Sequence, residues 1–298
     1  MPFVAGVDSS TQATKVEIRD LDSGEVVAAA SSPHPVVTPP RSEQDPRSWW
    51  TAFQEAWAQA TAALPGGTSI AGVSVAGQQH GMVALDVDGE AVHAAKLWND
   101  TESASDAQWL IEQLGGPRAW ADAVGSVPLA AFTATKLSWL HRAHPDAWSR
   151  LARVLLPHDY VTHRLTGAFT TDRGDASGTG YWSPAAGEYR WDILALVDAA
   201  RDWAEVVPTV LGPLDVAGEW NGIPVAVGTG DNMAAALGLG LRPGDAAISI
   251  GTSGTAFAVA DAPTADPSGA VAGFADATGR FLPLVCTSNA AKVLDAFA

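Results

Sequence analysis

Two apolar runs near opposite ends of the chain each empty into a turn rich in Gly, Ser and Thr, and this pairing constrains the fold more than any other feature. Phe3 to Val7 leads into Asp8, Ser9, Ser10, Thr11 and Gln12, and Ala246 to Ile250 leads into Gly251, Thr252, Ser253, Gly254 and Thr255. Strands that end in such turns offer backbone N–H groups and small hydroxyls to an anion with no bulky side chain in the way. One turn of this kind is a weak signal. Two of them, the first with an acidic residue, predict two half-sites that close on one polyphosphate from opposite lobes.

The length of 298 residues suits one large or two ordinary domains, and a hydrophobic content of 47% supplies a core. With 17 basic residues against 33 acidic ones the formal charge is −16. That argues against a phosphate-backbone binder, because nucleic-acid affinity rests on clustered Lys and Arg. Met1 to Gly6 has no basic n-region, and no run approaches the roughly 18 apolar residues that span a bilayer. Cys286 is the only cysteine, so no internal disulfide forms, and a small buried hydrophobe is favoured over a catalytic thiol. These features predict a soluble protein of the reducing cytoplasm, with neither nucleic acid nor a membrane as partner.

Along the chain, Val16 and Ile18 alternate with charged neighbours between Lys15 and Arg19, which is strand periodicity. Asp22, Ser23 and Gly24 turn it into Glu25 to Ala30, giving an antiparallel meander of three strands. Asp45 and Pro46 start a helix with Trp49, Phe53, Trp57 and Ala60 on one face, read as core packing. Ile70 to Ala76 is the next strand, followed by Met82 to Leu85 and Ala91 to Trp98, and Ser103 to Gly187 is mostly helical, with a helix over Leu155 to Leu165. Ile223 to Val227 is a fully apolar strand, and Asn232 to Gly240 a small-residue helix. Arg242, Pro243 and Gly244 mark the domain boundary, dividing the chain into residues 1–242 and 243–298. The last helix, from about Ser288, stops at Ala298 with no Gly, Asn or basic cap. We therefore expect a C-terminally truncated form of a longer protein, the alternative being a natural short chain.

Asp231 follows an apolar strand and a Gly-Thr-Gly turn and opens a helix, at the strand edge where open α/β sheets bind ligands. It reads equally as a plain N-cap and as a base that takes the proton of a hydroxyl attacking a γ-phosphorus, and both can hold. A helix N-terminus there is expected to keep the carboxylate ionised at neutral pH. Asp8 is placed to offer Mg²⁺ a hard oxygen, or is a turn-forming Asp bonded to its own backbone. Lys15 reads equally as a phosphate contact and as a solvated charge. Gln78, Gln79, His80, Asn99 and Asp100 combine uncharged donors and acceptors with one acid on loops after neighbouring strands, the mix that a polyhydroxylated substrate requires. Trp98 beside them offers a ring face to a sugar. His80 alone is more often a satisfied loop histidine.

These motifs together resemble the FGGY family of carbohydrate kinases. The segments that carry the likeness are GVDSSTQATK from Gly6, GVSVAGQQHGM from Gly72, LWND from Leu97, LLPHDYVTHRLTG from Leu155, TDRGDASGTG from Thr171, GTGDNMAAALG from Gly228, SIGTSGT from Ser249 and KVLDAF from Lys292. The resemblance implies an α/β fold of the actin/hexokinase-like, ribonuclease H type. The N-terminal, sugar-binding lobe would be complete over 1–242, and only the start of the nucleotide lobe would be present over 243–298. It implies ATP and Mg²⁺, with Asp231 as general base and Asp8 as metal ligand. Ser10, Thr11, Gln12 and Lys15 would form one phosphate site, and Gly251, Thr252 and Ser253 the other. Gln79, His80, Asn99, Asp100 and Asn232 would contact the sugar. The implied reaction is ATP-dependent phosphorylation of a pentulose, foremost D-xylulose to its 5-phosphate, in an enzyme that is a possible homodimer. Kinases of ribulose, ribitol or a related polyol, and a non-catalytic actin-fold sugar-binding or regulatory protein, stay open as alternatives. The family usually has an Arg shortly after the Asn-Asp pair, where Thr101 and Glu102 stand here. The Gly-rich segment that would hold adenosine is not in the sequence, so this length of chain is expected to bind ATP poorly.

Overall fold

The computed structural model describes residues 2–65, 68–250, 254–287 and 290–291. The N-terminal meander forms as its periodicity predicts: β1 (Phe3–Ser9), β2 (Ala13–Asp20) and β3 (Val26–Pro33) pair antiparallel in chain order. Asp20 Oδ1 accepts the backbone N–H groups of Asp22 and Ser23 at 3.0 and 2.8 Å and so folds the second hairpin. Helix α1 (Arg47–Ala62) then crosses the sheet. Asp45 Oδ1 accepts the Arg47 N–H at 3.0 Å, with Pro46 in the turn just before the first helical residue. Trp49, Phe53 and Ala60 are buried as the stripe predicts, and Trp57 lies half-buried against Trp220.

The crossover delivers β4 (Ile70–Gly77) parallel to β1. Much later in the chain β5 (Val216–Trp220), β6 (Ile223–Ala226) and the two-residue β7 (Thr229–Gly230) complete the sheet. Its order is β5-β6-β4-β1-β2-β3, with β7 also paired to β4. The core between this sheet and its helices joins Val16, Ile18, Val73, Val75 and Val225 to Trp49 and Phe53.

Ser103 to Gly187 is mostly helical, as expected, with α2 (Ala104–Leu114), α3 (Pro117–Val124), α4 (Thr133–Ala143), α5 (Pro145–Arg150), α6 (Pro157–Thr166) and α7 (Arg173–Ser177), and α8 (Trp191–Val197) follows beyond it. Leu155 belongs instead to a short strand, Arg153–Leu155, because Pro157 lacks the N–H that a helix interior requires and sits at its first position. The stretch has its own core around Leu110, Trp120, Leu137 and Leu140.

A second sheet of β8 (Ala246–Ile250), β9 (Gly254–Ala258), β10 (Ala272–Ala275) and β11 (Phe281–Thr287) is antiparallel throughout, in the order β8-β9-β11-β10. Phe257, Phe274, Leu282 and Leu284 pack on Phe132 and Met233 of the first unit. Ala275 N–H donates to Ser177 Oγ at 2.9 Å across the same seam. Cys286 departs from its expected burial: it is exposed, with Val285 beside it, because the end of β11 runs past the layer that covers Leu282 and Leu284. The expected C-terminal helix from Ser288 falls almost wholly outside the described residues, and among these no helix is long and apolar enough to cross a membrane.

Phe53 is fully buried between α1 and the sheet. Phe53→Ala is expected to lower unfolding stability by about 3–5 kcal/mol, read as a lower urea midpoint at unchanged slope.

Candidate active site

β1, β4 and β7 run parallel, so their C-terminal ends lie at one edge of the sheet. The register aligns Ser9 with Gly77 and Gly77 with Gly230. Three loops therefore meet there: Ser10 to Gln12, Gln78 to His80, and Gly228 to Asp231, the last opening α9 (Asp231–Gly238). Gly228 has φ +79°, and a Cβ there would strike the Val75 carbonyl, so the last turn needs glycine.

Two of the loops are joined by hydrogen bonds. Asn232 Nδ2 donates to Gln79 Oε1 at 2.8 Å and to Asp231 Oδ1 at 2.9 Å, and Asn232 N–H donates to Asp231 Oδ1 at 2.8 Å. Burial and the carboxylates of Asp175 and Asp8 push the Asp231 pKa up to about 7, against the pull of the Asn232 bonds. The sequence expectation of a carboxylate kept ionised by its helix N-terminus is thus corrected: α9 is short, and desolvation outweighs its dipole.

His80 sits at φ +64°, an uncommon conformation for a residue with a Cβ. Its ring stacks on Phe132 with centroids 5.0 Å apart and tilts on Phe274 at 5.3 Å. Nδ1 lies 2.7 Å from the Gly178 carbonyl and must donate, which leaves Nε2 as an acceptor in the neutral ring. Burial, with the nearby Lys136 charge, pushes its pKa down to about 4, so the ring is neutral at physiological pH.

On the first loop, Trp98 Nε1 donates to Thr11 Oγ1 at 2.9 Å, and Thr11 Oγ1 donates to Gln78 Oε1 at 3.4 Å. Ser10 Oγ donates to the Ala13 carbonyl at 3.2 Å, and exposed Gln12 accepts the His34 N–H at its carbonyl at 2.7 Å. Asp8 and Lys15 are register partners whose side chains pair at 3.3 Å at the margin of a cavity of about 510 Å³, which Thr229 and Gly228 also line. The Nε2 atoms of Gln78 and Gln79 and the Asn99 Oδ1 atom are buried without a protein partner. Asp100 uses both carboxylate oxygens inside the protein: Oδ2 accepts from Ser42 N–H and Lys96 Nζ at 2.9 and 3.0 Å, and Oδ1 from Glu102 N–H at 3.0 Å. Gly251, Thr252 and Ser253 lie outside the described residues.

Several charged groups escaped the sequence reading. Fully buried Lys96 binds Glu43 at 2.9 Å, Asp100 at 3.0 Å and Glu102 at 2.6 Å. These three carboxylates cluster closely enough to suit a metal ion, but the ammonium already occupies their centre. Buried Lys136 donates to the carbonyls of Ala130 and Ala131 and is pushed down to about 7 by desolvation. His158, Asp159, Asp172 and Asp175 form a buried group behind the Asp231 turn. The one available signal was charge set among apolar or small neighbours, as in Lys136 before Leu137 and Trp139.

An open sheet with three loops gathered at one edge, a high-pKa carboxylate and a set of unpaired amides is a frame suited to carbohydrate kinases. The model of the FGGY family of carbohydrate kinases, N-terminal domain, matches residues 3–238, and the chain belongs to that family. It is 52% identical to the xylulose kinase of Streptomyces coelicolor and 50% identical to that of Streptomyces rubiginosus, each alignment covering 100% of this chain and 62% of the relative. The chain thus spans about three fifths of the length of these curated relatives. The crystal structure of xylulose kinase from Bifidobacterium adolescentis superposes with a TM-score of 0.91 at 42% identity, over 99% of this chain and 66% of that one. Plasmodium falciparum glycerol kinase with ADP shares the fold at TM-score 0.86 and 17% identity, over 100% of this chain and 63% of that one. The fold is therefore of the actin/hexokinase-like sugar-kinase type.

Removing the Lys96 ammonium leaves three facing carboxylates. Lys96→Met is expected to cost about 3–5 kcal/mol in chemical unfolding, with the loss shrinking as pH falls and the carboxylates protonate.

Proposed function

We propose that this chain carries the sugar-binding part and the catalytic base of an ATP-dependent pentulose kinase that converts D-xylulose to D-xylulose 5-phosphate. The observation that carries the reading is the hydrogen-bonded run Asp231, Asn232 and Gln79, which sets a carboxylate of pKa about 7 beside neutral amides at the sheet edge. The names of the xylulose kinases that resemble the chain support the choice of sugar. In this reading residues 1–242 form the sugar-binding lobe and 243–298 open the nucleotide lobe, with the protein cytoplasmic and a homodimer compatible with the fold.

The sugar hydroxyls exchange hydrogen bonds with Gln79, Asn99 and Asn232, and His80 accepts one at Nε2; Asp100 holds its loop in place through Lys96. Asp231 accepts the O5 proton as the O5–Pγ bond forms and the bond from Pγ to the β,γ-bridging oxygen breaks, leaving ADP. Asp8 suits a divalent cation, since its carboxylate is 39% exposed and shares an oxygen only loosely with Lys15. A Mg²⁺ ion held there supplies charge neutralisation on the phosphates. Ser10, Thr11, Gln12 and Lys15 line the same side, and Gly251, Thr252 and Ser253 are proposed as the opposing phosphate turn.

The assay is ATP turnover by the full-length protein, with a whole nucleotide lobe, across a panel of sugars and polyols. Turnover that depends on xylulose supports the reading, and turnover only with another polyol or with none overturns the choice of sugar or of enzyme. Asp231→Asn is expected to lower kcat by roughly 100-fold or more. In the wild type the base works only when ionised, so activity is expected to rise with pH up to about 7 and level off above it.

A further inference from the structure

Beneath the Asp231 turn lies a fully buried histidine that the proposed reaction does not use. His158, on the first turn of α6, donates from Nδ1 to Asp175 Oδ2 at 2.7 Å, while Nε2 faces Asp159 Oδ1 at 3.1 Å and Asp172 Oδ1 at 3.7 Å. Its backbone and Cβ lie against Gly77, and its ring edge, with the Val75 carbonyl, lies against Gly228. A Cβ on Gly77 would come within 2.9 Å of His158 Cβ, and one on Gly228 within 2.9 Å of His158 Cδ2. Gly77 ends the strand that leads to Gln78, Gln79 and His80, and Gly228 begins the turn that carries Asp231. Asp172 adds a second tie to that turn by accepting Thr229 Oγ1 at 2.6 Å.

Resting on the kinase reading, we propose that His158 is a positioning residue of the reaction: with its ring seated on Asp175 and its edge against Gly228, it sets the height of the Asp231 turn over the Gln79 loop. Its charge makes the seat firm. Burial alone would lower its pKa, but Asp159, Asp175 and Asp172 outweigh that and push it up to about 10. These three face it from its own helix and from α7 and its cap, and Tyr181, held protonated by burial and by the Asp159 and Asp175 charges, adds none. Burial pushes Asp159 up to about 7 and Asp175 up to about 6 even beside this charge, so a neutral residue at 158 removes what keeps them ionised, and the turn that Asp172 holds through Thr229 loses its seat.

Two measurements test this, a titration on this chain and kinetics on the full-length protein. In an NMR titration of ¹⁵N-labelled histidines, with the His158 signal assigned by its loss in His158→Gln, the ring is expected to stay doubly protonated through pH 8. A midpoint at the ordinary value of about 6.5 overturns the proposal. In kinetics, His158→Gln is expected to lower kcat roughly ten- to hundredfold, with the pentulose KM within about threefold of wild type, and His158→Lys to recover most of the loss. A His158→Gln enzyme with wild-type kcat, or a folded His158→Lys enzyme no better than His158→Gln, overturns it. A wild type without sugar-dependent turnover refutes the kinase reading instead, and the titration still decides the state of His158.

Discussion

β4 pairs in parallel with β1 and with β7, and the alignment of Ser9, Gly77 and Gly230 brings three loops to one point. Side chains on a strand alternate with period two, so a slip of one residue would turn Val73 and Val75 out of the core and carry the Gln78 to His80 loop away from Asn232. The hydrophobic pattern of β4 therefore fixes a polar geometry several residues beyond it. The same alignment lets Asn232 reach Gln79 directly across a gap of many residues in sequence.

Desolvation acts on this edge with opposite results for its two titratable groups. It raises Asp231 toward neutrality and lowers His80 to about 4, because it disfavours whichever form is charged. In the proposed reaction the first serves as a base poised to gain a proton, and the second as a neutral acceptor. The unpaired Nε2 atoms of Gln78 and Gln79 belong to the same arrangement: buried donors without partners are costly until a ligand meets them, which in the proposed reaction sharpens discrimination among polyols.

The strands, the α1 stripe and the family were legible in the sequence because each rests on local spacing. Val16 and Ile18 alternate, Trp49 and Phe53 recur at helical intervals, and the Gly-Thr-Gly turn precedes Asp231 within a few residues. What stayed hidden depends on contacts distant in sequence. Lys96 meets Glu43, and His158 meets Asp175, only after the sheet and helices have packed. The Asp231 pKa was misjudged for the same reason, since the local cue of a helix N-terminus was visible while burial and the Asp175 charge were not. Asp100 looked like a sugar ligand from its place in the loop, whereas its oxygens turn inward to Ser42 and Lys96.

His80 is stacked between Phe132 of the helical stretch and Phe274 of the second sheet. Its ring is thus an aromatic surface shared by the Gln79 loop, the seam and the sheet beyond it. A tilt of that sheet presses on the same imidazole whose Nε2 is open to a ligand. One ring thus takes part in two packings, and a change at Phe274 in the second sheet alters the surroundings of the Gln79 loop.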